Sequence, residues 1–368
     1  MNDTQPLITV VIPVYNAAST LRRCLDSVTG SSFAPLEILC VDDGSEDGSV
    51  PIIRAYAEKD PRVRLLTQEH RYAGAARNAG IEAASGTYLH FLDADDEILP
   101  TAYGILFRAA EEAHADVCEC LYENRDAVTG SMVSAASFIR RDEDAPLNIR
   151  TGGERTAISL IDGHVVPWNK LYRREFLLAS GVRFDGLICA EDRSFYYGVI
   201  FAAGTLVRIQ DRLVIHYVNS PTSLEGSDTR IRHFDVHFRS SEIIREIVKD
   251  EPDHLRSLVA GACLSDSVYH FYPALGAPCE DDLRRQLYRY WKPLLGDLSM
   301  HSFRNATFFH FLNITESLLP KAIRPFIRYP VRRFLKACTD GGPHARKKMR
   351  FWKMMLLPAF FFRRSLFP

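Results

Sequence analysis

Residues 88–100 read YLHFLDADDEILP. An apolar run from Tyr88 to Leu92 leads straight into Asp93, Asp95 and Asp96. A short apolar run bounded by turn-forming residues suits a strand buried on both faces. Three carboxylates within four positions repel one another, and each resists leaving water. A cation is the usual remedy. The stretch therefore predicts a buried strand whose carboxyl end carries a site, with a metal ion as its natural counter-charge.

Working outward, the flanking sequence alternates between two periods. LITVVIP (7–13), LEILCV (36–41), VRLLT (63–67) and TYLHFL (87–92) read as strands. Between them, Leu21, Cys24, Leu25 and Val28 recur at i, i+3, i+4 and i+7, the spacing of a helix stripe. GSVPIIRAYAEKD (48–60) reads as a helix with Ser49 as its cap and Pro51 in its first turn. AGAARNAGIEAAS (73–85) is a helix of small residues stopped by Gly86. Another helix, PTAYGILFRAAEEAHA (100–115), precedes a strand DVCECLY (116–122). Strands and helices alternating at this spacing predict βαβ units and an α/β fold: a mostly parallel sheet flanked by helices. Residues 123–150 are polar and irregular, a loop or hairpin excursion. Order returns with helices at RREFLLAS, ended by Gly181, and at RSFYYGVIFAA, then strands at TLVRI and LVIHYV. Beyond Arg230 the pattern is mainly helical, without an internal repeat. His233 and His237 there lack a third ligand and read as surface residues.

The chain has 368 residues, 46% hydrophobic and 25% charged, as in an ordinary soluble protein large enough for more than one domain. A net charge of -1 hides an asymmetry. Residues 321–368 hold thirteen Lys or Arg and one acid, Asp340, a charge of +12 that leaves -13 on the rest. A basic tail on an acidic body points to an anionic partner. The eight cysteines include no C-x-x-C pair, and Cys24 and Cys40 sit in apolar patterns as buried thiols, which suits a reducing cytosol. The N-terminus reads as no signal peptide, and no run of about 18 apolar residues predicts a spanning helix.

In open parallel sheets ligands bind outside the carboxyl ends of the strands. Here those ends read PVYN, VDDGSEDGS and LDADDE. Asp93 and Asp95, two apart, can straddle one ion, and hard carboxylates suit Mn2+ or Mg2+, which also take diphosphate oxygens. The competing reading makes these acids caps of the helix after Pro100, a role that suits Asp96 best. VDDGSEDGS is also an ordinary Asp/Gly turn; in its functional reading Asp43 accepts a hydrogen bond from a nucleobase. Neither G-x-x-x-x-G-K-[ST] nor G-x-G-x-x-G follows the first strand, which argues against ATP hydrolysis and dinucleotide binding.

VVIPVYN, VDDGSEDGS, AGAARNAGI, LDADD, WNKLYRREFL and EDRSFYY follow one another in the order of family 2 glycosyltransferases of the GT-A fold, which residues 6–225 resemble. WNKLYRRE followed by ED is similar to bacterial enzymes that build capsular, exopolysaccharide or lipopolysaccharide chains. The resemblance implies an inverting, metal-dependent hexosyltransferase acting on a UDP-sugar. It implies that Pro13, Tyr15 and Asp43 hold the uridine, with Arg71 and Arg77 flanking it and Arg71 the stronger donor contact. It implies that Asp93 lies near ribose and metal, that Asp95 binds the metal, and that Asp192, beside Glu191, is the catalytic base. A base of this kind takes a proton from the acceptor hydroxyl as that oxygen attacks the anomeric carbon. Glu191 and Asp192 also suit a plain helix start, where acids favour the dipole. Lys170 and Trp168 are candidates for the diphosphate or acceptor side, with structural packing as the rival. His216 is a candidate third metal ligand, although a lone strand histidine is more often structural.

These readings predict a GT-A domain over residues 1–225, a helical region over 226–320 and a membrane-associating tail over 321–368. In the tail, RKKMRFWKMMLLPAFFFRR brackets an apolar run with cations. Nine apolar residues cannot span a bilayer but can lie in its interface, where anionic lipid adds about 1 kcal/mol per nearby cation. The expected acceptor is a lipid-linked saccharide, met by a cytoplasmic protein peripheral to the inner face of the membrane. A helix packed on the core is the plain alternative for the tail, and no nucleic-acid module accompanies it. Two rival functions stand: a sugar-nucleotide pyrophosphorylase, which needs a triphosphate loop that PVYNAAST does not supply, and a non-catalytic nucleotide-sugar-binding protein of the same fold.

Overall fold

β1 (Ile8–Val14) is built from β-branched and apolar residues because both of its faces are covered. It pairs in parallel with β2 (Leu36–Asp42), in register from Ile8 opposite Leu36 to Val14 opposite Asp42. α1 (Leu21–Thr29) crosses between them, burying Leu21, Cys24, Leu25 and Val28 as its stripe predicts. Each of the leucines and the valine contributes about 1.5–3 kcal/mol on burial. α2 (Ser49–Ala57) leads to β3 (Val63–Thr67), and α3 (Tyr72–Ala83) to β4 (Tyr88–Phe91). α3 lies directly on β1: a Cβ on Gly80 would fall 2.2 Å from the Val11 side chain, so only glycine permits the approach. The computed structural model describes residues 5–136, 147–150, 163–219 and 233–271, with the single positions 286 and 290.

The sheet runs β3-β2-β1-β4, then the strands Lys170–Arg173 (β9), Val117–Asp126 (β6), Thr205–Val218 (β10) and Glu97–Ile98 (β5). After β4 come the two-residue β5 (Glu97–Ile98), α4 (Ala102–Glu112) and β6 (Val117–Asp126), which folds back through β7 (Met132–Ala135) as a hairpin. β8 (Leu147–Arg150) borders β10 (Thr205–Val218). The first four strands are parallel. β9 (Lys170–Arg173) then runs antiparallel between β4 and β6. The architecture is thus the expected mostly parallel sheet flanked by helices, with one reversed strand at its centre. TLVRI and LVIHYV form one strand, interrupted by irregular register between Arg208 and Val214. Gly181, at φ 68°, ends the helix Arg174–Ser180 as expected. Ser49 does not cap α2; its hydroxyl accepts the Ala17 N–H instead, at 2.9 Å.

The chain divides into two compact units, Met1–Leu224 and Glu225–Pro368. In the second, the helices Phe234–Ile247 and Asp253–Phe271 pack on each other, and Ile244, Val259 and Cys263 are among their buried residues. His237, read from sequence as a surface residue, is 7% exposed on the buried face of the first of these helices. No helix among the described residues is long and apolar enough to cross a membrane. The basic tail, 321–368, lies outside the described residues, as does most of the expected helical region.

Candidate active site

The carboxyl ends of β1, β2 and β4 lie side by side, and their following loops form the site. The first two loops are latched together: the Asn16 N–H donates to Ser45 Oγ at 3.0 Å, the Glu46 N–H to Asn16 Oδ1 at 2.9 Å and the Ala18 N–H to Asp47 Oδ2 at 2.9 Å. Asp43, just past β2, is 2% exposed. Its Oδ1 accepts the Arg71 N–H at 2.9 Å and Gln68 Nε2 at 2.6 Å, and Oδ2 lies 2.8 Å from His70 Nδ1. Gly44 follows at φ +80°, where a side chain would be strained. Tyr15 stacks on the His70 ring at 4.0 Å between centroids, and Tyr72 meets that ring edge-on at 4.8 Å. Tyr15 nevertheless remains 48% exposed. An exposed tyrosine braced from behind is a shelf on which a flat ring can stack. Pro13, within β1 opposite Val41, is partly buried. Sequence reasoning missed His70 and Tyr72; the cluster HRY, where the loop from β3 enters α3, was the available signal.

Beyond β4, Asp93, Asp95 and Asp96 bring one carboxylate oxygen each within 4.8 Å of one another. Their surroundings differ. Asp93 Oδ1 accepts Arg77 Nη2 at 2.7 Å. Asp96 is fully buried and is no helix cap: both of its oxygens lie 2.9 Å from His216 Nδ1, and Oδ1 accepts the Tyr217 N–H. Asp95 has no cation on its carboxylate among the described residues; Arg23 donates only to its backbone oxygen, at 2.6 Å. Burial, then the neighbouring Asp93 charge, push the Asp95 carboxyl up. A half-buried acid beside another acid, with no counter-charge of its own, fits a divalent cation.

His216 meets that acid group through Asp96, whose carboxylate takes up its Nδ1. Its ring stacks on Trp168 at 4.6 Å, and although burial works against its charge, the Asp96 carboxylate pushes its pKa up to about 9. It neutralises Asp96 rather than offering a neutral nitrogen through Nδ1. Lys170 also departs from expectation. It is 1% exposed, and its ammonium donates to the carbonyls of His164 and Val166 and to Asn169 Oδ1. It lies 3.3 Å from Glu119, whose other oxygen accepts Arg208 Nε at 2.7 Å. Lys170 is thus taken up in a buried ion network with Glu119 and Arg208. Trp168 is likewise packed inside.

Ala190, at φ 61°, turns the chain into the helix Glu191–Ala202. Glu191 Oε1 accepts Arg77 Nη1 at 2.7 Å, so one guanidinium joins Glu191 to Asp93. Arg77 is 5% exposed. Burial opposes its charge, but Asp93 and Glu191 together hold its pKa above the usual arginine value. Asp192, next along and partly buried, enters no ion pair among the described residues. Burial and then the Glu191 charge push its pKa up to about 7. A carboxylate with that value can both hold and release a proton near neutral pH, the requirement for a general base. Arg71, exposed at the N-terminus of α3, makes no side-chain hydrogen bond or ion pair among the described residues.

The sheet order and the acids at its carboxyl edge define a GT-A glycosyltransferase. The family model "Glycosyl transferase family 2" matches residues 9–179. "Uncharacterized glycosyltransferase YibD" of Escherichia coli (strain K12) is 38% identical over 187 residues, a match that takes in 50% of this chain and about half, 53%, of that protein. "Glycosyltransferase GlyG" of Streptococcus pneumoniae serotype 4 is 30% identical over 220 residues, covering 57% of this chain and 70% of its own. Among solved structures, Staphylococcus aureus TarS 1–349 in complex with UDP-GlcNAc superposes with a TM-score of 0.58 at 16% identity, over 95% of this chain and 92% of that one. The chain belongs to glycosyl transferase family 2.

Proposed function

We propose that this glycosyltransferase moves a hexosyl group from a UDP-sugar to a hydroxyl of a lipid-linked saccharide, inverting the anomeric centre, in the synthesis of a bacterial cell-surface polysaccharide. The observation that carries this reading is the Arg77 bridge: Asp93 of the acid group and Glu191, next to Asp192, lie 2.7 Å from one guanidinium, so acids and base serve one site. The exposed Tyr15 shelf beside Asp43 supports a uracil, since stacking a base on an aromatic ring contributes about 1–3 kcal/mol. TarS, whose fold this chain shares, was crystallised with UDP-GlcNAc, which supports a nucleotide-sugar donor.

In this reading Asp192 accepts the proton of the acceptor hydroxyl. The freed oxygen bonds to the anomeric carbon while the bond from that carbon to UDP breaks. Arg71, whose side chain is unengaged among the described residues, faces the donor. Asp93 and Asp95 would hold Mn2+ or Mg2+, and such an ion, when bound, supplies charge neutralisation for the departing diphosphate. Membrane association at the cytoplasmic face rests on the basic, aromatic sequence of residues 321–368.

The test is UDP release from UDP-Glc, UDP-Gal, UDP-GlcNAc and UDP-GalNAc with Mn2+ and with Mg2+, in wild type and in Asp95→Asn and Asp192→Asn. One donor should release UDP with an added ion, and both variants should lose that activity while remaining folded. Release of pyrophosphate, or full activity in both variants, overturns the proposal.

A further inference from the structure

α3 presents Gly74, Arg77 and Asn78 at i, i+3 and i+4, on one helix face. All three engage the segment Phe184–Glu191 that carries the chain into the proposed base. A Cβ on Gly74 would come 2.6 Å from the Asp185 carbonyl oxygen and 3.2 Å from Glu191 Cγ, so glycine is needed for the contact. Asn78 clamps Phe184 twice: Nδ2 donates to its carbonyl at 2.8 Å, and Oδ1 accepts its N–H at 3.0 Å. Phe184 in turn stacks on Phe195 of the following helix at 3.7 Å between centroids. Arg77 completes the dock with its two 2.7 Å bonds, one to Glu191 and one to Asp93.

We infer that Arg77 is a positioning residue: together with Gly74 and Asn78 it fixes the Asp192-bearing helix start against the acids after β4, and it does not bind the nucleotide. This rests on the proposed role of Asp192. Nearly all of the Arg77 side chain is inside the protein, and both Nη atoms that could reach a diphosphate are committed to carboxylates. A bridge between residues so far apart in sequence constrains the reaction geometry, and misplacing a catalytic group by about 1 Å can cost about 100-fold in rate.

Two quantities separate positioning from ligand binding: kcat for UDP release from the best of the four donors, and the Kd of UDP with Mn2+ by calorimetry. Arg77→Met should lower kcat at least 30-fold while the UDP Kd stays within threefold. Arg77→Lys, which keeps the charge but cannot fork to two carboxylates, should recover kcat only in part. Should Arg77→Met not fold, Asn78→Ala loosens the same dock outside the charged site and should lower kcat at least fivefold at unchanged UDP Kd. A UDP Kd that rises as much as kcat falls in Arg77→Met, or an unchanged kcat in the folded variants, overturns the inference. Asp192→Asn, run alongside, separates the two readings: normal transfer there sinks the base assignment and the positioning role with it. An inactive Asp192→Asn beside an unaffected Arg77→Met sinks the positioning role alone.

Discussion

Asp192→Asn should do two things at once: remove activity and raise stability at alkaline pH. The folded-state pKa of Asp192 stands at about 7 against an ordinary 3.8, because burial and Glu191 penalise its charged form. Between those values the folded chain holds a proton that the unfolded chain has lost, so stability falls as pH rises through the window and is level outside it. At 1.36 kcal/mol per pH unit, the ceiling on that cost is about 4 kcal/mol. Relaxation and water entry on ionisation reduce it, and about 1–2 kcal/mol is the expected gain from an uncharged isostere at pH 8. For a unit of this size that is roughly 3–6 °C in Tm. At pH 4 the gain should vanish. In the wild type, kcat/KM should fall below pH 7, with about a tenth of the plateau left at pH 6. In the variant the rate should drop by about 100-fold or more. Differential scanning fluorimetry at pH 4 and 8, beside a UDP-release profile from pH 5.5 to 9, measures both. An acid placed only to satisfy the helix start gives the opposite sign, since its removal costs about 0.3–1 kcal/mol. A lower Tm at pH 8 with activity retained would refute the reasoning.

Four further outcomes are expected. Calorimetry should find UDP bound at least tenfold more tightly with Mn2+ than in EDTA, and Asp95→Asn should abolish that difference, since Asp95 is the acid without a cation of its own among the described residues; an equal affinity in EDTA argues against the ion. Arg71→Ala should raise the donor KM about tenfold, the loss of one charge-assisted contact, with no change in Tm; a large Tm drop would show a structural role. Tyr15→Ala should weaken UDP binding by about 1–3 kcal/mol, read as a Kd increase by calorimetry; an unchanged Kd removes the stacking shelf. Lys170→Met should leave the fully buried Glu119 with one fewer cation and cost about 3–5 kcal/mol, read by denaturant unfolding; a stable variant deficient only in UDP binding would return Lys170 to the ligand.

The acids at the strand ends were legible because their chemistry is local. Charge that follows a buried apolar run needs a remedy, and Asp43, Asp93 and Asp95 stand at the carboxyl ends of β2 and β4, the two strands that flank β1. α1 was legible because its burial stripe repeats within nine residues. β9 was not: its four residues, KLYR, run straight into a helix, and only pairing with β4 and β6 makes them a strand. Lys170 suits a phosphate by residue type, yet its partner Glu119 lies on another strand and leaves no trace in the local pattern. The same blindness hid Asp96, which looked like a cap until β10 brought His216 to it, and His70, whose value lies in bracing Tyr15 from behind. What sequence could not supply in each case was the long-range partner.

The three acids after β4 are not equivalent, and the difference bears on how an ion would come and go. Arg77, shared with Glu191, pairs with Asp93 and His216 pairs with Asp96, each through direct contact, which leaves Asp95 as the one of the three with no cation on its carboxylate among the described residues. Three free carboxylates in one pocket would grip a divalent cation with or without a nucleotide. One uncompensated carboxylate gives the protein a weak hold, because hard ions need several oxygen ligands and shed their water reluctantly. A diphosphate supplies the missing oxygens and charge. If the ion is held as proposed, it therefore arrives with the nucleotide and departs with it, and Mn2+ alone should bind the free protein at least tenfold more weakly than it binds the protein with UDP. Thermodynamic reciprocity demands that the same factor appear in the tightening of UDP by Mn2+. Tight Mn2+ binding without UDP would mean that Arg77 and His216 do not offset their acids, and the charge assignment made from their contacts would fail.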